Sequence, residues 1–520
     1  MKKSILMTFL FVCSLFAQQP SLPPGLEAYV TRVMKTFEVP GIALAIVKDG
    51  KVMLAKGFGV RTIGTSTPVD AQTRFGIASN TKAFTATALA LLIEEGKLEW
   101  DAPVVRYLPW FALSNPYVTH ELTIRDLLVH RSGLGLGAGD LLWWPASTYN
   151  RKEIVRRLRY IPLATSFRSA YAYDNVLYTV AGEVIEAVTG KTWEEFVAAR
   201  ILAKIGMTHS NVSHADAAGI GNIATPHAPI GGTVRPVKPD TSANVNPAGG
   251  INSCAEDIAK WMIVQLDSGR VAGSSLLFSP GFTRQMWQIV TPIGSRPAPV
   301  QLAPLQSNFN GYGLGFFIRD YRGRKLVTHT GGLSGYVSRI AMIPELRLGV
   351  AVFTNQESDE AYEAITYWVL DHFLSAPAFD WLGGFCWYKV RHDSIAAAPE
   401  IASANSRDTT SHPSLPLEKY AGTYTDSWYG DVIIMYNSGT LGIRFVPTAA
   451  LVGRLEHWQY DTFIARWDDP EMRADAFVSF SLNPDGTIDR IKMKAVSSAT
   501  DFSFNFQDLL LKPSTSPGGK

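Results

Sequence analysis

Cysteine is scarce: the 520 residues contain three, Cys13, Cys254 and Cys386, too few for a disulfide framework. There is no Cys-x-x-Cys and no His-Glu-x-x-His, and the ten histidines are scattered, so no metal centre or other cofactor is indicated. Charge is also sparse. Asp, Glu, Lys and Arg make up 18% of the chain, below the usual ~25%. Its balance, 48 Lys+Arg against 46 Asp+Glu, lacks the basic excess of a nucleic-acid-binding protein. No internal apolar run reaches the ~18 residues of a membrane span, and no Gly-x-Ser-x-Gly elbow occurs. What is present is apolar material, 46% of residues, enough for large cores and too much for disorder. The length suits two to three domains, or one large domain and a small one.

Lys2 and Lys3 precede an apolar stretch from Ile5 to Ala17, and the polar Gln18 and Gln19 follow. This is the layout of a secretory signal peptide over residues 1–17, with cleavage after Ala17. It predicts an exported chain, periplasmic or secreted, with no stable membrane anchor after cleavage. The alternative, a retained anchor, is opposed by the shortness of the apolar run. Cleavage would leave Cys254 and Cys386, which allow one disulfide without requiring it.

From Gly41, GIALAIVKDGKVMLAKGFGV places two β-rich runs around Asp49-Gly50, the dipeptide that a type I′ hairpin turn favours. Asn80 to Glu95 is apolar almost all round and closed by Gly96, which predicts a buried helix with a glycine C-cap. Helical patterns recur at Thr123 to Val129, Val176 to Val188, Ala255 to Leu266 and Glu360 to Leu374. Short strand candidates fall at Leu314 to Arg319, Lys325 to Thr330, Arg339 to Ile343 and Gly349 to Phe353. Strands at both ends with helices between predict an α+β fold over residues 22–375, in which the terminal segments meet in one antiparallel sheet flanked by helices. Residues 376–415 turn rich in Ala, Ser and Pro and read as a linker. Over 416–512, alternating runs separated by turns such as Asp485-Gly486 predict a small antiparallel β-barrel.

Three short motifs could carry chemistry. Ser79-Asn80-Thr81-Lys82 enters the buried helix, and one helical turn stacks the lysine amine near the serine hydroxyl. A serine so placed can be activated as a nucleophile. A lysine enclosed by the apolar run that follows has a lowered pKa. The competing reading is an N-cap serine followed by a solvated lysine. Tyr173-Asp174-Asn175 lies just before a helix; a tyrosine is a useful base only where neighbouring cations depress its pKa. Otherwise the tripeptide is a loop whose Asp174 or Asn175 caps that helix. His329-Thr330-Gly331-Gly332 ends a strand, where glycines let a substrate lie along the edge and the Gly332 amide, with that of Ser79, could face a developing oxyanion. Its plainer reading is a strand-to-loop turn. Trp143 and Trp144, after a glycine-rich run, suit either an apolar pocket wall or core packing.

Taken together and in this order, Ser79-x-x-Lys82, Tyr173-x-Asn175 and His329-Thr330-Gly331 resemble the three motifs of the penicillin-recognising serine hydrolases. The likeness is greatest to class C β-lactamases, D-aminopeptidases and β-lactamase-like esterases. Stretches such as VPGIALAIVKDGKV and LTIRDLLVHRSGL agree, and the tail resembles the lipocalin-like barrel appended to some of these hydrolases. The resemblance implies that Ser79 forms an acyl-enzyme, that Lys82 and Tyr173 share the base role, and that Asn175 positions Lys82 and the substrate. It also implies substrate contacts along His329, Thr330 and Gly331, and an oxyanion hole from the Ser79 and Gly332 amides. Two departures stand out. His329 replaces the lysine usual in β-lactamases, removing a permanent cation, and Asp174 adds a carboxylate beside the base where a serine is common. Both favour a small-molecule ester, amide or D-amino-acid peptide as substrate. The alternatives are a β-lactamase or D,D-carboxypeptidase, and a non-catalytic binding protein of the same fold. The oligomeric state is not legible.

Overall fold

The computed structural model describes residues 21–514 apart from 220 and 272–274, so the leader read at residues 1–17 lies outside the described residues. Strands β1 (Gly41–Lys48) and β2 (Lys51–Gly59) form the expected hairpin, with Asp49 and Gly50 both at positive φ, 52° and 75°. Six further strands complete the sheet: β3 (Thr291–Pro292), β4 (Asn310–Tyr312), β5 (Phe317–Tyr321), β6 (Arg324–Leu333), β7 (Tyr336–Ile343) and β8 (Leu348–Thr354). Their order is β2-β1-β8-β7-β6-β5-β4-β3. Strand β1 pairs antiparallel with β8, Ile42 opposite Thr354 and Lys48 opposite Leu348, so the two ends of the first 375 residues do meet in one sheet.

The period-2 alternation of β1 divides two cores. Ala43, Ala45 and Val47 face one core, with α2 (Lys82–Glu94), α3 (Val176–Thr189) and α4 (Ala255–Leu266). Ile42, Leu44 and Ile46 face the other, with α1 (Leu26–Thr36) and α5 (Asp359–Phe373). Within the first core, the Phe84 ring of α2 stacks on Trp261 of α4 at 3.8 Å between centroids. Helix α2 is buried on every side from Lys82 to Leu92, which is why its sequence lacks a polar face.

The expected linker is corrected in part. Residues 381–405 of it form helix α6 (Trp381–Asn405), capped at its start by the Asp380 side chain, which accepts from the Gly383 amide at 2.9 Å. Alanine-rich sequence favours helix strongly enough to carry the single interior Pro399. Cys254 and Cys386 are both unpaired.

Beyond α6, strands β9 (Gly422–Asp426), β10 (Gly430–Asn437), β11 (Thr440–Phe445), β12 (Val452–Gln459), β13 (Thr462–Trp467), β14 (Ala476–Leu482), β15 (Ile488–Ala495) and β16 (Lys512–Pro513) follow in an antiparallel meander. Strand β16 pairs back onto β9, and Leu511 just before it bridges Ile491 of β15, so the sheet nearly closes into a barrel.

What positions the cleft is the approach of β6 to the turn before α2. The Ser338 hydroxyl of β7 donates to the Ile77 carbonyl at 2.8 Å and accepts from the Asn80 amide at 2.8 Å. A Cβ at Gly331 would sit 2.3 Å from the Ile77 carbonyl oxygen, whereas one at Gly332 would meet nothing within 4 Å. Only glycine at 331 lets the strand lie this close. Gly331→Ala is therefore expected to lower stability by ~1–3 kcal/mol through overpacking, while Gly332→Ala changes it by less than ~0.5 kcal/mol. Urea midpoints of the two variants check this, and equal midpoints would refute it.

Candidate active site

The chain enters α2 through a short 3-10 turn, Ala78–Thr81, with Ala78 in the left-handed region at φ 47°. This turn sets Ser79 at the head of the buried helix, and Thr81 is held by the Ile251 amide, which donates to its hydroxyl at 3.1 Å. Lys82, one turn on, is wholly buried. Its Nζ lies 2.9 Å from Ser79 Oγ, 2.8 Å from Asn175 Oδ1 and 3.0 Å from the Ala248 carbonyl. Loss of solvent lowers its pKa to about 7, against the opposing pull of Asp140 first and Asp174 second. A neutral amine in this cage keeps two N–H groups for Asn175 and Ala248 and turns its lone pair to the Ser79 hydroxyl.

Tyr173 precedes α3 and stands over the amine, with Lys82 Nζ 4.8 Å from its ring centroid. Its ring partly faces the cavity, yet burial pushes the phenol well above 10, and the contact with the Ser79 hydroxyl, which acts the other way, does not outweigh it. The phenol is therefore a proton donor at rest. Beneath it lies His130, whose ring is 4.3 Å from that of Tyr173. His130 Nδ1 accepts from the Asp174 amide at 3.1 Å, and burial, then Lys82 and His329, hold its pKa well below 6.5.

Burial opposes the negative charge expected of Asp174 beside Lys82. Its side chain is fully buried, and burial first, then Asp140, raises its pKa well above 3.8 despite the Leu177 and Val176 amides at the start of α3. The neutral acid is the favoured form. Asp140 was not singled out by the sequence. Its carboxylate accepts from Asn175 Nδ2 at 2.8 Å, Trp143 Nε1 at 3.0 Å and the Ser503 hydroxyl at 3.0 Å. Burial nonetheless pushes it up to about 7.

His329 is neutral, as expected, but for a stronger reason than an ordinary imidazole pKa. It is buried, Nδ1 contacts the Thr330 carbonyl at 2.6 Å and Nε2 the Tyr312 hydroxyl at 2.8 Å. A carbonyl only accepts, so Nδ1 carries the proton and Nε2 receives one from Tyr312. Burial first, then Lys82, lowers its pKa to about 3.

A cavity of about 360 Å³ opens over these groups, lined by Ser79, Tyr173, Asn175, His329, Thr330 and Gly332. Strand β5 stays paired with β6 only up to Thr328, so on that side the β6 edge beyond it borders this cavity. Six of the eight residues expected at the site thus line the cavity, with Lys82 beneath them, while Gly331 faces Ile77 and Ala78 instead. Trp143, Tyr171 and Phe317 form apolar walls, which settles Trp143 as both wall and core. The barrel supplies Asp501, Phe502 and Ser503; Phe502 stands edge-on to Tyr173 at 6.0 Å. Among the lining residues there is no lysine or arginine, and the two carboxylates are Asp240 and Asp501. Sequence periodicity could not reveal Asp140, His130 or the barrel segment.

Comparison with known proteins agrees with this geometry. The family model described as Beta-lactamase matches residues 26–373, and one described as a Domain of unknown function (DUF3471) matches 406–513. Unguisins hydrolase ungD of Aspergillus violaceofuscus is 28% identical over 88% of this chain and 86% of its own. Protein flp of Staphylococcus aureus strain COL is 26% identical over 64% of this chain and 63% of its own. Among solved structures, the octameric penicillin-binding protein homologue from Pyrococcus abyssi superposes with a TM-score of 0.57 at 22% identity, over 94% of this chain and 99% of that one. The D-amino acid amidase from Ochrobactrum anthropi SV3 does so at 0.54 and 24%, over 67% and 97%. The chain belongs to the β-lactamase family and is a serine hydrolase of that superfamily, with a lipocalin-like barrel at its C-terminal end.

Proposed function

We propose that the chain hydrolyses small esters or amides, D-amino-acid peptides included, through an acyl-enzyme at Ser79. The observation that carries this reading is the 2.9 Å contact between Ser79 Oγ and the fully buried Lys82 amine. Neutral Lys82 takes the Ser79 proton as Oγ attacks the carbonyl, and the Ser79 and Gly332 amides receive the oxyanion. On collapse, Tyr173 gives its proton to the leaving alcohol or amine, and the phenolate so formed is held by the adjacent ammonium. In the second half a water passes its proton to Tyr173 and attacks the acyl group, after which Lys82 returns its proton to Ser79. Each group ends as it began. Asn175 keeps the amine pointed at Ser79, while His329 and Thr330 shape the substrate edge.

The lining favours this substrate class over a β-lactam or a peptide ending in a free carboxylate. Neutral His329 and the absence of lysine and arginine leave a substrate carboxylate no permanent cation, with Asp240 and Asp501 in the lining; the other lining histidine, His214, already has its two ring nitrogens against Asn252 Oδ1 and the Gly249 carbonyl. A neutral or amine-bearing substrate meets no such penalty. The names of the relatives, a hydrolase of unguisins and a D-amino acid amidase, are in keeping with hydrolysis, the second with that of an amide. The charged-then-apolar leader supports export.

Three substrates separate the readings: a nitrophenyl ester, a D-alanyl anilide and a chromogenic cephalosporin. The ester and anilide are expected to exceed the cephalosporin in kcat/KM by at least about 10²-fold, in line with an unpaired charge in the disfavoured complex. A cephalosporin turned over best would overturn the assignment. Ser79→Ala should abolish both turnover and labelling by a fluorophosphonate, and persistence of either would remove Ser79 from its role.

The base also predicts a pH profile. Lys82 must be neutral to accept a proton, and its pKa is brought down to about 7. Activity on the ester should therefore rise with pH through the neutral range and level off above it, falling about tenfold per unit below. A plateau extending down to pH 5 would exclude Lys82 as the base.

A further inference from the structure

We propose that Asp140 is a positioning residue for the serine chemistry: through Asn175 it fixes the orientation and charge of Lys82, and the barrel completes it through Ser503. This rests on the proposed roles of Ser79 and Lys82 and adds a residue to them. An isolated amide such as Asn175 could offer Lys82 either its oxygen or its nitrogen. With Nδ2 donating to Asp140 at 2.8 Å, Oδ1 is the end left for Lys82, also at 2.8 Å. Asp140 is thus one link removed from the amine and two from Ser79 Oγ.

Asp140 is wholly buried, and a buried carboxylate with few donors loses its charge. Three donors converge on it: Asn175 within the site, Trp143 from its own turn, and Ser503, 363 residues away on the barrel. The neighbouring Leu141 amide donates to Asn505 Oδ1 at 3.1 Å, which locks the same barrel segment in place. The other groups facing Lys82 are Asp174, Tyr173, Tyr178, His130 and His329. Asp174 is held toward its neutral acid, both tyrosines as phenols and both histidines as neutral rings. Asp140 is also raised by burial, with Asp501 of the barrel acting the same way, but its three donors oppose this and hold it to about 7, so it is the group best placed to offset the ammonium form of Lys82.

The sign follows. Removing the charge with Asp140→Asn takes away what favours ammonium, so Lys82 loses its proton at lower pH. The acid limb of kcat/KM should move down by about one unit, and kcat should fall by on the order of 10-fold to 10²-fold because the amide offers one acceptor oxygen where the three donors met two, which loosens the hold on Asn175, with KM within about twofold. Ser503→Ala, which removes one donor and leaves the core intact, should move the limb in the same direction by less. The measurement is the pH dependence of ester hydrolysis by the full-length variants, with fluorophosphonate labelling of the wild type alongside. If Asp140→Asn does not fold, Ser503→Ala carries the test. A limb that stays in place or moves upward in the folded variant would overturn the inference, because a purely structural carboxylate lowers activity without shifting a base. A wild type that resists labelling at Ser79 would instead overturn the reading on which it rests.

Discussion

The rest of the site depends on how the amine of Lys82 is enclosed. An ammonium taken from water into an apolar core without compensation is so costly that the group gives up its proton instead. Here three acceptors meet Nζ, and all are uncharged: a hydroxyl, an amide oxygen and a backbone carbonyl. A carboxylate in direct contact would have fixed the charge and left the amine unable to accept a proton. Uncharged acceptors hold the geometry while leaving both protonation states accessible near neutrality. The two buried acids nearby, Asp140 and Asp174, act at a distance.

That enclosure is built by parts remote in sequence. The 3-10 turn before α2 brings Ser79 and the first residue of α2 brings Lys82, the segment before α3 brings Tyr173 and Asn175, and the Asn246–Gly249 turn brings the Ala248 carbonyl. Strand β6 closes the far side, and its distance from the Ser79 turn is set by the missing side chain at Gly331. Gly331 therefore belongs to the site's spacing and Gly332 to its surface, although the two are adjacent and chemically identical. Their alternation is that of any strand, one face inward and one face out.

Much of this was legible in the sequence because its causes are local or periodic. Asp49-Gly50 dictated a hairpin, unbroken apolar composition dictated a buried α2, and strand patterns at both ends dictated a shared sheet. Three motifs in a fixed order marked the residues that converge. The misses share one cause. Whether Asp174 carries charge depends on burial by segments far away, and burial of an acid cannot be read from its neighbours in the chain. The helix at 381–405 was hidden because alanine serves both linker and helix, and only the buried anchors Trp381 and Phe385 at its first turns decide between them. In the sequence Asp140 is one acid in a glycine-rich loop with nothing local to mark it, since two of its three donors lie 35 and 363 residues away.

The barrel is best understood through that same carboxylate. Segment 501–505 places Phe502 against Tyr173, Ser503 on Asp140 and Asn505 on the Leu141 amide. Elsewhere the barrel is tied down by polar contacts at its rim: the Tyr149 hydroxyl donates to the Tyr429 carbonyl at 2.6 Å, and Arg473 grips Glu357 with two nitrogens at 2.6 and 2.7 Å. Rim contacts of this kind give orientation more than affinity. The Ser503 contact is different in kind, because it satisfies a buried group inside the other unit. If the barrel withdrew, Asp140 would lose a donor and Tyr173 an aromatic neighbour at once. On the proposed mechanism, docking of the barrel and the protonation of Lys82 are linked through Ser503 and Asp140, with no movement of Ser79 or Lys82 required.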